Sequence, residues 1–412
     1  MSPPPASAEN QDLASGQIAR AAGLVMAGFV ISNLVSLGQR ILVSRAFGTG
    51  PEIDSFFVAL RIPELLFNLV AGGALASAFL PAFTAALSRG SRQDAWKLAS
   101  SLANLVILTL AALAALAWVA APFLVDSVLA PNFDAGKAQL TVALLRILLA
   151  TTVIFGLSGL LMAVLQAHRH FALPALAPTV YWLGWIVGIL ALAPRLGIQG
   201  LAYGVVLGAG LHLLVQLPAL RGRGARYSLR LGLTDPPVRN VLRLMGPRLI
   251  GVGVVQVNFL VNTILASGQP VGSLTALQLA FAVMTMPQVV VAQSLAIAAL
   301  PTFSAQAAEG RWGELRDSIR GALRGVVFLS LPASVGLILL RRPLTALLFE
   351  RGAFDASSTD LVAWALLWYA AGLVGHSLVE ILSRAFYALQ NTRTPVLVGA
   401  AAMSLNVILS LV

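Results

Sequence analysis

The sequence predicts an all-α integral membrane protein, and its composition, its long apolar runs and an internal repeat indicate that class. Hydrophobic residues make up 58% of the chain and charged residues only 10%, against roughly 25% charged residues in soluble domains. The mean hydropathy is +0.86. Because the apolar runs are continuous and do not alternate with polar residues, they favour transmembrane helices over a transmembrane β-barrel.

The apolar runs have the length of about 20 residues that a helix needs to cross a hydrocarbon core, and about eleven of them are present. Several exceed that length, which indicates tilted helices or helices that extend beyond the bilayer. The predicted spans are residues 19–45, 54–87, 97–125, 138–166, 173–193, 198–220, 244–267, 272–303, 320–340, 358–386 and 395–412.

An internal repeat divides these helices into two halves. Residues 80–83 (LPAF) return at 300–303 (LPTF), and residues 133–135 (FDA) return at 354–356 with nearly the same offset. Six helices per half is an even number, so both halves enter the membrane from the same side. The sequence therefore predicts two parallel six-helix lobes related by a pseudo-twofold axis along the membrane normal. The second lobe is expected to be incomplete, because the repeat would extend it to about residue 441.

Four regions follow from this organisation. Residues 1–17 are polar and rich in Pro, Ala and Ser, without the basic and apolar regions of a signal peptide, so we expect a disordered cytoplasmic tail. Residues 18–220 form the predicted N-lobe, and residues 244–412 form the predicted C-lobe. The basic segment 221–243 between them is the expected cytoplasmic linker.

The positive charge predicts the orientation of the helices. The net charge of +11 is concentrated on short connections after the even-numbered spans, which the positive-inside rule places in the cytoplasm together with the N-terminus. Anionic lipid headgroups explain this charge better than nucleic acid does. Arg341, Arg342 and Arg351 follow the ninth span and run against the pattern.

The sequence offers little support for an enzyme. It carries no Ser-His-Asp set, HExxH motif or P-loop, and the absence of cysteine excludes disulfides and thiolate metal sites. His168 and His170 flank Arg169 in a connection, where a solvated loop is expected and a metal site is not. We expect no catalysis, no metal and no tightly bound cofactor.

Polar and ionisable residues inside the predicted spans are the candidate functional residues, because such groups are costly in a bilayer and usually face a pathway. A cleft between two parallel lobes is the architecture of an alternating-access transporter. Snorkelling to the interface is the alternative for arginines near the ends of spans, and Arg248 could be a positive-inside anchor. The candidates are Asn33, Gln39, Arg40, Asp54, Arg61 and Arg248.

Several motifs occur in order along residues 20–412: RAFG at 45–48, DSFF at 54–57, AFLP at 78–81, FALPALAPT at 171–179, MGP at 245–247 and ALP at 299–301. Together they resemble the MurJ (MviN) lipid II flippases of the multidrug/oligosaccharidyl-lipid/polysaccharide exporter superfamily. The resemblance implies a cofactor-free, monomeric flippase in the bacterial inner membrane. It implies alternating-access transport of undecaprenyl-pyrophosphate-linked peptidoglycan precursor (lipid II) from the inner to the outer leaflet. The family usually has fourteen helices, so on this resemblance we expect the sequence to lack the twelfth to the fourteenth.

Several positions depart from the family pattern in a way that removes charge. Asn33 and Gln39 stand where the first helix usually has two arginines. Phe67 and Gly72 stand where the second helix usually has Arg and Glu, and residues 281–282 (Phe-Ala) replace an Asp-Arg pair in the eighth. A pyrophosphate in a low-dielectric cleft needs cations nearby, so these departures indicate a changed substrate or a lost function.

On this resemblance we expect Arg40 and Arg61 to attract the headgroup and Asp54 to gate the cleft or pair with an arginine. Asn33 and Gln39 would line the cleft, and Arg248 would restore positive potential. Two alternatives stay open, namely export of another polyprenyl-linked or amphipathic substrate and a non-transporting scaffold. The scaffold would hold cell-wall enzymes through its cytoplasmic loops.

Overall fold

The computed structural model describes residues 8–70 and 74–411, with side chains except at 8–25, 74, 76–77, 247–248, 250–251, 254 and 410–411. Every regular element within these residues is a helix. The helices are α1 (Ala8–Phe47), α2 (Pro51–Val70), α3 (Ala74–Ser88), α4 (Arg92–Val119), α5 (Ala121–Phe123), α6 (Ala135–Ala167), α7 (Ala172–Val187), α8 (Ala193–Leu196), α9 (Ile198–Leu214), α10 (Pro236–Ser267), α11 (Ser273–Gln288), α12 (Ser294–Ala308), α13 (Trp312–Phe349), α14 (Ala356–Ala388) and α15 (Arg393–Leu411).

The predicted membrane class is confirmed. Eight helical stretches of the described chain are long and apolar enough to cross a membrane, and three shorter apolar helices accompany them. The number of spans, about eleven, stays a prediction. The predicted span 54–87 consists of two helices, α2 and α3, and the residues between them, which include Gly72, lie outside the described residues.

Two predicted boundaries differ from the structure. Helix α1 begins at Ala8, so residues 8–17 are helical where a disordered tail was expected; Ala, Glu, Gln and Leu in this segment are good helix formers. Helix α10 begins at Pro236 and not at residue 244. Proline is favoured in the first turn of a helix, where its missing N–H costs nothing.

The repeat is visible in the local structure of the two halves. Arg169 and Gln390, which the FDA repeat makes equivalent, both have φ +57° and both lie in the turn that ends a long helix. The N–H of the following residue, His170 or Asn391, donates at 2.9 Å to Leu165 or Phe386. Positive φ is uncommon for residues other than glycine, so its recurrence at the repeat spacing supports a common origin of the two halves.

Equivalent aspartates begin the helices that end in those turns. The carboxylate of Asp134 accepts from the backbone N–H of Lys137 at 3.0 Å, and that of Asp355 accepts from Ser358 at 2.8 Å. These hydrogen bonds lower the pKa of both carboxyl groups. Capping by aspartate satisfies N–H groups that have no partner inside the helix.

The chain forms two compact units that do not coincide with the predicted lobes. Unit 1 comprises the chain up to Leu42 with Ala59–Val125 and Ala138–Gly253, and unit 2 comprises Val43–Val58, Asp126–Lys137 and the chain from Val254. Two short segments of the first half therefore belong with the second. The assignment of residues 18–220 and 244–412 to two lobes stays a prediction.

Glycines bring α7 and α9 together in unit 1. A Cβ atom on Gly184 would lie 2.2 Å from the Cα atom of Gly208, and one on Gly204 would lie 2.4 Å from the Cα atom of Gly188. Small residues allow this close approach of backbones, which favours van der Waals packing between membrane helices. The backbones of the two helices are therefore in close contact.

The linker lies along α4 in unit 1. The indole N–H of Trp96 donates to the carbonyl of Arg223 at 3.2 Å, and the amide of Asn104 donates to the carbonyls of Ser228 at 3.0 Å and Arg230 at 2.8 Å. The hydroxyl of Ser100 accepts from the N–H of Ser228 at 3.2 Å. These side chains are spaced by one helical turn, so α4 presents a polar stripe that binds an extended peptide segment.

Candidate functional site

A charged cluster in unit 1 unites two of the predicted site residues. Arg61 and Glu64 lie one turn apart on α2, and their Nη1 and Oε2 atoms are 3.1 Å apart. Arg40, half-buried on α1, interacts electrostatically with the same carboxylate. The side chain of Arg61 is 17% exposed and that of Glu64 is 50% exposed, so the cluster is accessible through its carboxylate. Two cations and one anion leave a local net charge of +1.

Glu64 is an ionisable residue inside the second predicted span and was a candidate for that reason, but the sequence assigned it no role in the site. Opposite charges at i and i+3 on a helix face the same side and commonly pair. An isolated carboxylate inside a membrane protein is costly, and pairing with arginine offsets that cost. Glu64 thus sets the net charge that Arg40 and Arg61 present.

Aromatic rings lie beside this cluster. Tyr181 of α7 interacts electrostatically with Glu64, and its ring is 5.0 Å from that of Phe155. Phe155 in turn lies 5.5 Å from Phe67, which occupies a position where the resemblance leads one to expect arginine. At this position packing between aromatic rings has replaced a charge.

His212 belongs to a buried hydrogen-bonded group and is not an isolated histidine in an apolar helix. Its Nδ1 atom lies 2.7 Å from the hydroxyl of Ser158, and the amide of Gln216 donates to that hydroxyl at 2.7 Å. Gln216 also donates to the carbonyl of His212 at 2.8 Å. Satisfying polar groups in this way makes their burial tolerable, so this group joins α6 to the C-terminal end of α9.

Asp54 belongs to α2 and to unit 2, and its side chain lies at the N-terminus of α11. Its carboxylate accepts from the backbone N–H of Gly272 at 2.6 Å and from the N–H and hydroxyl of Thr275 at 3.0 and 2.7 Å. The side chain is only 2% exposed. Unpaired N–H groups and the positive end of the helix dipole stabilise a carboxylate at this position. Among the described contacts, Asp54 therefore pairs with a helix terminus and not with an arginine.

The position immediately before α11 requires glycine. Gly272 has φ +93°, and a Cβ atom there would lie 2.7 Å from the carbonyl oxygen of Thr49. Thr275 lies 221 residues after Asp54, which is the offset between the two FDA segments. The two halves of the sequence thus meet within unit 2 at equivalent positions.

The other predicted site residues are not brought together with these. Gln39 is 3% exposed, so it is packed inside the protein and does not line an open surface. Asn33 is exposed and donates to the carbonyl of Phe29 at 2.8 Å. The side chain of Arg248 lies outside the described residues. Asp54 and the Arg40–Glu64–Arg61 cluster belong to different compact units.

The histidines near Arg169 lie in the short connection between α6 and α7, where the sequence led us to expect a loop, and both are half-buried there. The ring of His168 is 5.7 Å from Phe83 and 6.2 Å from Trp96. Burial, followed by the charge of Arg223, lowers the pKa of His170. The described residues contain no group of three or more His, Asp or Glu that could hold a metal ion.

Comparison with known proteins identifies the family. The family model described as lipid II flippase MurJ matches residues 43–412. The lipid II flippase MurJ of Burkholderia cenocepacia is 33% identical over 389 residues, covering 92% of this chain and 75% of that protein. The probable lipid II flippase MurJ of Vibrio cholerae is 31% identical over 398 residues, covering 94% and 76%.

Solved structures show the same fold. A structure of lipid II flippase MurJ in an inward closed conformation has a TM-score of 0.83 and 25% sequence identity, covering 94% of this chain and 81% of that chain. An inward-facing multidrug resistance MATE family transporter of the MOP superfamily has a TM-score of 0.74 at 16% identity, covering 90% and 84%. The second likeness concerns the fold alone. The match to the family model and the identity to its members show that this chain belongs to the lipid II flippase MurJ family.

Proposed function

We propose that this protein is a flippase that moves lipid-linked peptidoglycan precursor from the inner to the outer leaflet of the bacterial inner membrane by alternating access. The observation that carries the proposal is the Arg61–Glu64 ion pair, with Arg40 within electrostatic range of the same carboxylate, in a member of this family. The predicted orientation, with the N-terminus in the cytoplasm, places entry of the substrate at the inner leaflet. No tightly bound cofactor is required.

The Arg40–Glu64–Arg61 cluster is the proposed contact for the anionic headgroup. Arginine suits phosphate oxygens because its planar guanidinium donates two parallel hydrogen bonds. Glu64 holds Arg61 in place when no substrate is bound, and a phosphate would compete with it for the same donor. This exchange keeps a charge near the guanidinium at every stage, which limits the cost of an unpaired charge at low dielectric.

Asp54 is the proposed latch of one conformational state. Three hydrogen bonds join it to residues more than 200 positions away in the sequence. A rearrangement that separated Asp54 from α11 would expose the carboxylate and leave the helix N-terminus uncapped. An alternating-access cycle needs two such states of similar free energy.

The headgroup contact can be tested with two double variants that differ in net charge. R40Q/R61Q removes two positive charges and leaves Glu64, whereas R61Q/E64Q removes one charge of each sign and keeps the net charge at +1. In proteoliposomes carrying fluorescent lipid II, we expect R40Q/R61Q to slow transfer between leaflets at least tenfold and R61Q/E64Q to slow it less, since a charge-assisted hydrogen bond contributes about 1.5–3 kcal/mol.

R89Q/R92Q is the matched control, because both of these arginines are exposed where the connection from α3 enters α4. It should transfer lipid II like the unchanged protein. Equal rates for R40Q/R61Q and the control would refute the headgroup contact. Absence of lipid II transfer by the unchanged protein, with failure to rescue cells depleted of their own flippase, would refute the function itself.

A second candidate substrate is another polyprenyl-linked lipid with less headgroup charge than a pyrophosphate. The Phe67–Phe155 ring contact favours it, because Phe67 stands where the resemblance leads one to expect an arginine. A panel of polyprenyl monophosphate and pyrophosphate lipids in the same vesicles separates the two substrates. Faster transfer of the monophosphates would favour the second candidate.

A further inference from the structure

Helix α13 carries a stripe of three exposed arginines, Arg316, Arg320 and Arg324, spaced by one helical turn. They line one side of a shallow groove of about 760 Å³ that continues along the same helix. The surface of the groove is almost entirely apolar, so the arginines border it mainly with the apolar stems of their side chains. Its other lining residues are Ile319, Leu323, Val327, Phe328, Leu331 and Pro332.

The positive charges of the stripe have few acidic partners among the described residues. Within the described residues, Arg316 and Arg324 make no hydrogen bond or ion pair, and Arg320 reaches the exposed carboxylate of Asp317 at 3.5 Å. Like charges at i and i+4 destabilise a helix. Three of them in a row therefore favour an anionic ligand.

The position of the stripe along α13 matches the edge of a bilayer. The helix rises about 26 Å between Arg324 and Arg341, against a hydrocarbon core of about 30 Å. Arg324 thus lies at the boundary of the core, where arginine extends towards the headgroups. Arg316 and Arg320 lie farther out, and Phe328, 76% exposed, lies in the hydrocarbon.

The repeat identifies the same stripe in the first half of the chain. At the offset that relates the LPAF and LPTF segments, buried residues of α13 fall on buried residues of α4. The corresponding pairs are Val326 and Val106, Ser330 and Leu110, Ser334 and Ala114, and Leu337 and Ala117.

On this alignment Arg316, Arg320 and Arg324 correspond to Trp96, Ser100 and Asn104. Those three side chains bind the extended linker in unit 1 through hydrogen bonds to its backbone. The stripe is therefore a docking strip in the first half. In the second half guanidinium groups stand at the equivalent positions, and guanidinium groups suit an anion.

We propose that the Arg316–Arg320–Arg324 stripe binds the phosphodiester headgroup of an anionic phospholipid, with an acyl chain along Val327, Phe328 and Leu331. Guanidinium groups bind phosphate oxygens in pairs of hydrogen bonds, and the exposed apolar end of the groove excludes a purely soluble anion. On the predicted orientation this lipid belongs to the cytoplasmic leaflet. The inference does not depend on translocation of lipid II.

The test is lipid binding to the full-length protein in detergent, measured by native mass spectrometry with phosphatidylglycerol and phosphatidylcholine as probes. R316Q/R324Q should weaken phosphatidylglycerol binding about 20–30-fold, since one arginine near an anionic surface contributes about fivefold. R89Q/R92Q, which removes two exposed arginines elsewhere, should change it less than twofold. R316K/R324K should keep the preference for phosphatidylglycerol and shows that changes at these positions are compatible with folding.

Several results would overturn the proposal. One is equal binding of both lipids by the unchanged protein; another is phosphatidylglycerol binding by R316Q/R324Q that matches the R89Q/R92Q control. If glycerol phosphate protects the protein from thermal unfolding as well as phosphatidylglycerol does, the stripe binds a soluble anion and not a lipid. Loss of self-association in R316Q/R324Q with unchanged lipid binding would assign it to a second copy of the chain. If R316Q/R324Q does not fold, the single variant R324Q decides: it should weaken phosphatidylglycerol binding about fivefold, and unchanged binding would overturn the proposal.

Discussion

Replacing Asp54 by alanine tests whether this carboxylate holds α11 in place. The change removes the acceptor for the N–H groups of Gly272 and Thr275 and for the Thr275 hydroxyl, at a site that is 2% exposed. A buried donor left without a partner costs about 1–3 kcal/mol, and these terms are not fully additive, so we expect a loss of about 3–5 kcal/mol. Loss of the favourable interaction with the helix dipole acts in the same direction.

Thermal unfolding of the purified protein in detergent measures this loss. At about 2.1 cal/mol/K per residue, the unfolding entropy of a 412-residue chain converts 3–5 kcal/mol into a fall in Tm of about 4–6 °C. Glu52 is an exposed carboxylate in the same first turn of α2, so E52Q is the matched control and should leave Tm unchanged. A D54A variant that melts within about 1 °C of E52Q would refute the capping role.

Three further predictions concern unit 1. G204A should destabilise the protein by about 1–3 kcal/mol, because its Cβ would lie 2.4 Å from the Cα atom of Gly188; G210A on the same helix has open space and should be neutral or stabilising in the same melting assay. N104A should speed tryptic cleavage after the exposed Arg226 several-fold, because the linker loses its hydrogen bonds to α4; an unchanged cleavage rate would contradict the docking of the linker. Burial lowers the pKa of His170, so on acidification the unfolded chain takes up a proton near pH 6.5 before the folded chain does, and the free energy of unfolding should fall as pH drops from 7.5 to 5.5. H170Q should flatten that dependence, and an identical slope in the variant would count against it.

The charged cluster shows how far spacing along one helix can predict a site. Arg61 and Glu64 are three residues apart, so their pairing is a local property of α2 that follows from helix geometry. The approach of Arg40 to the same carboxylate depends on how α1 packs against α2, which no spacing within one helix contains. The sequence therefore indicated all three charges but not the packing that brings Arg40 to Glu64.

The linker is a second case in which composition was informative but incomplete. Its arginines, glycines and prolines indicated a cytoplasmic connection, because such residues are favoured in loops on that side. Its docking on α4 uses backbone carbonyl groups, which every residue has. Composition could not distinguish a docked segment from a free one.

The sequence by itself determined the membrane class, the internal repeat and the family, because each of these depends on apolar length, motif order or spacing along the chain. The tertiary structure decided the partners of the charges. Asp54 meets residues 218 and 221 positions away, and Asn104 of α4 binds linker carbonyl groups 124 and 126 positions away. Contacts at such separations arise from the packing of helices that are distant in sequence, so local patterns do not specify them.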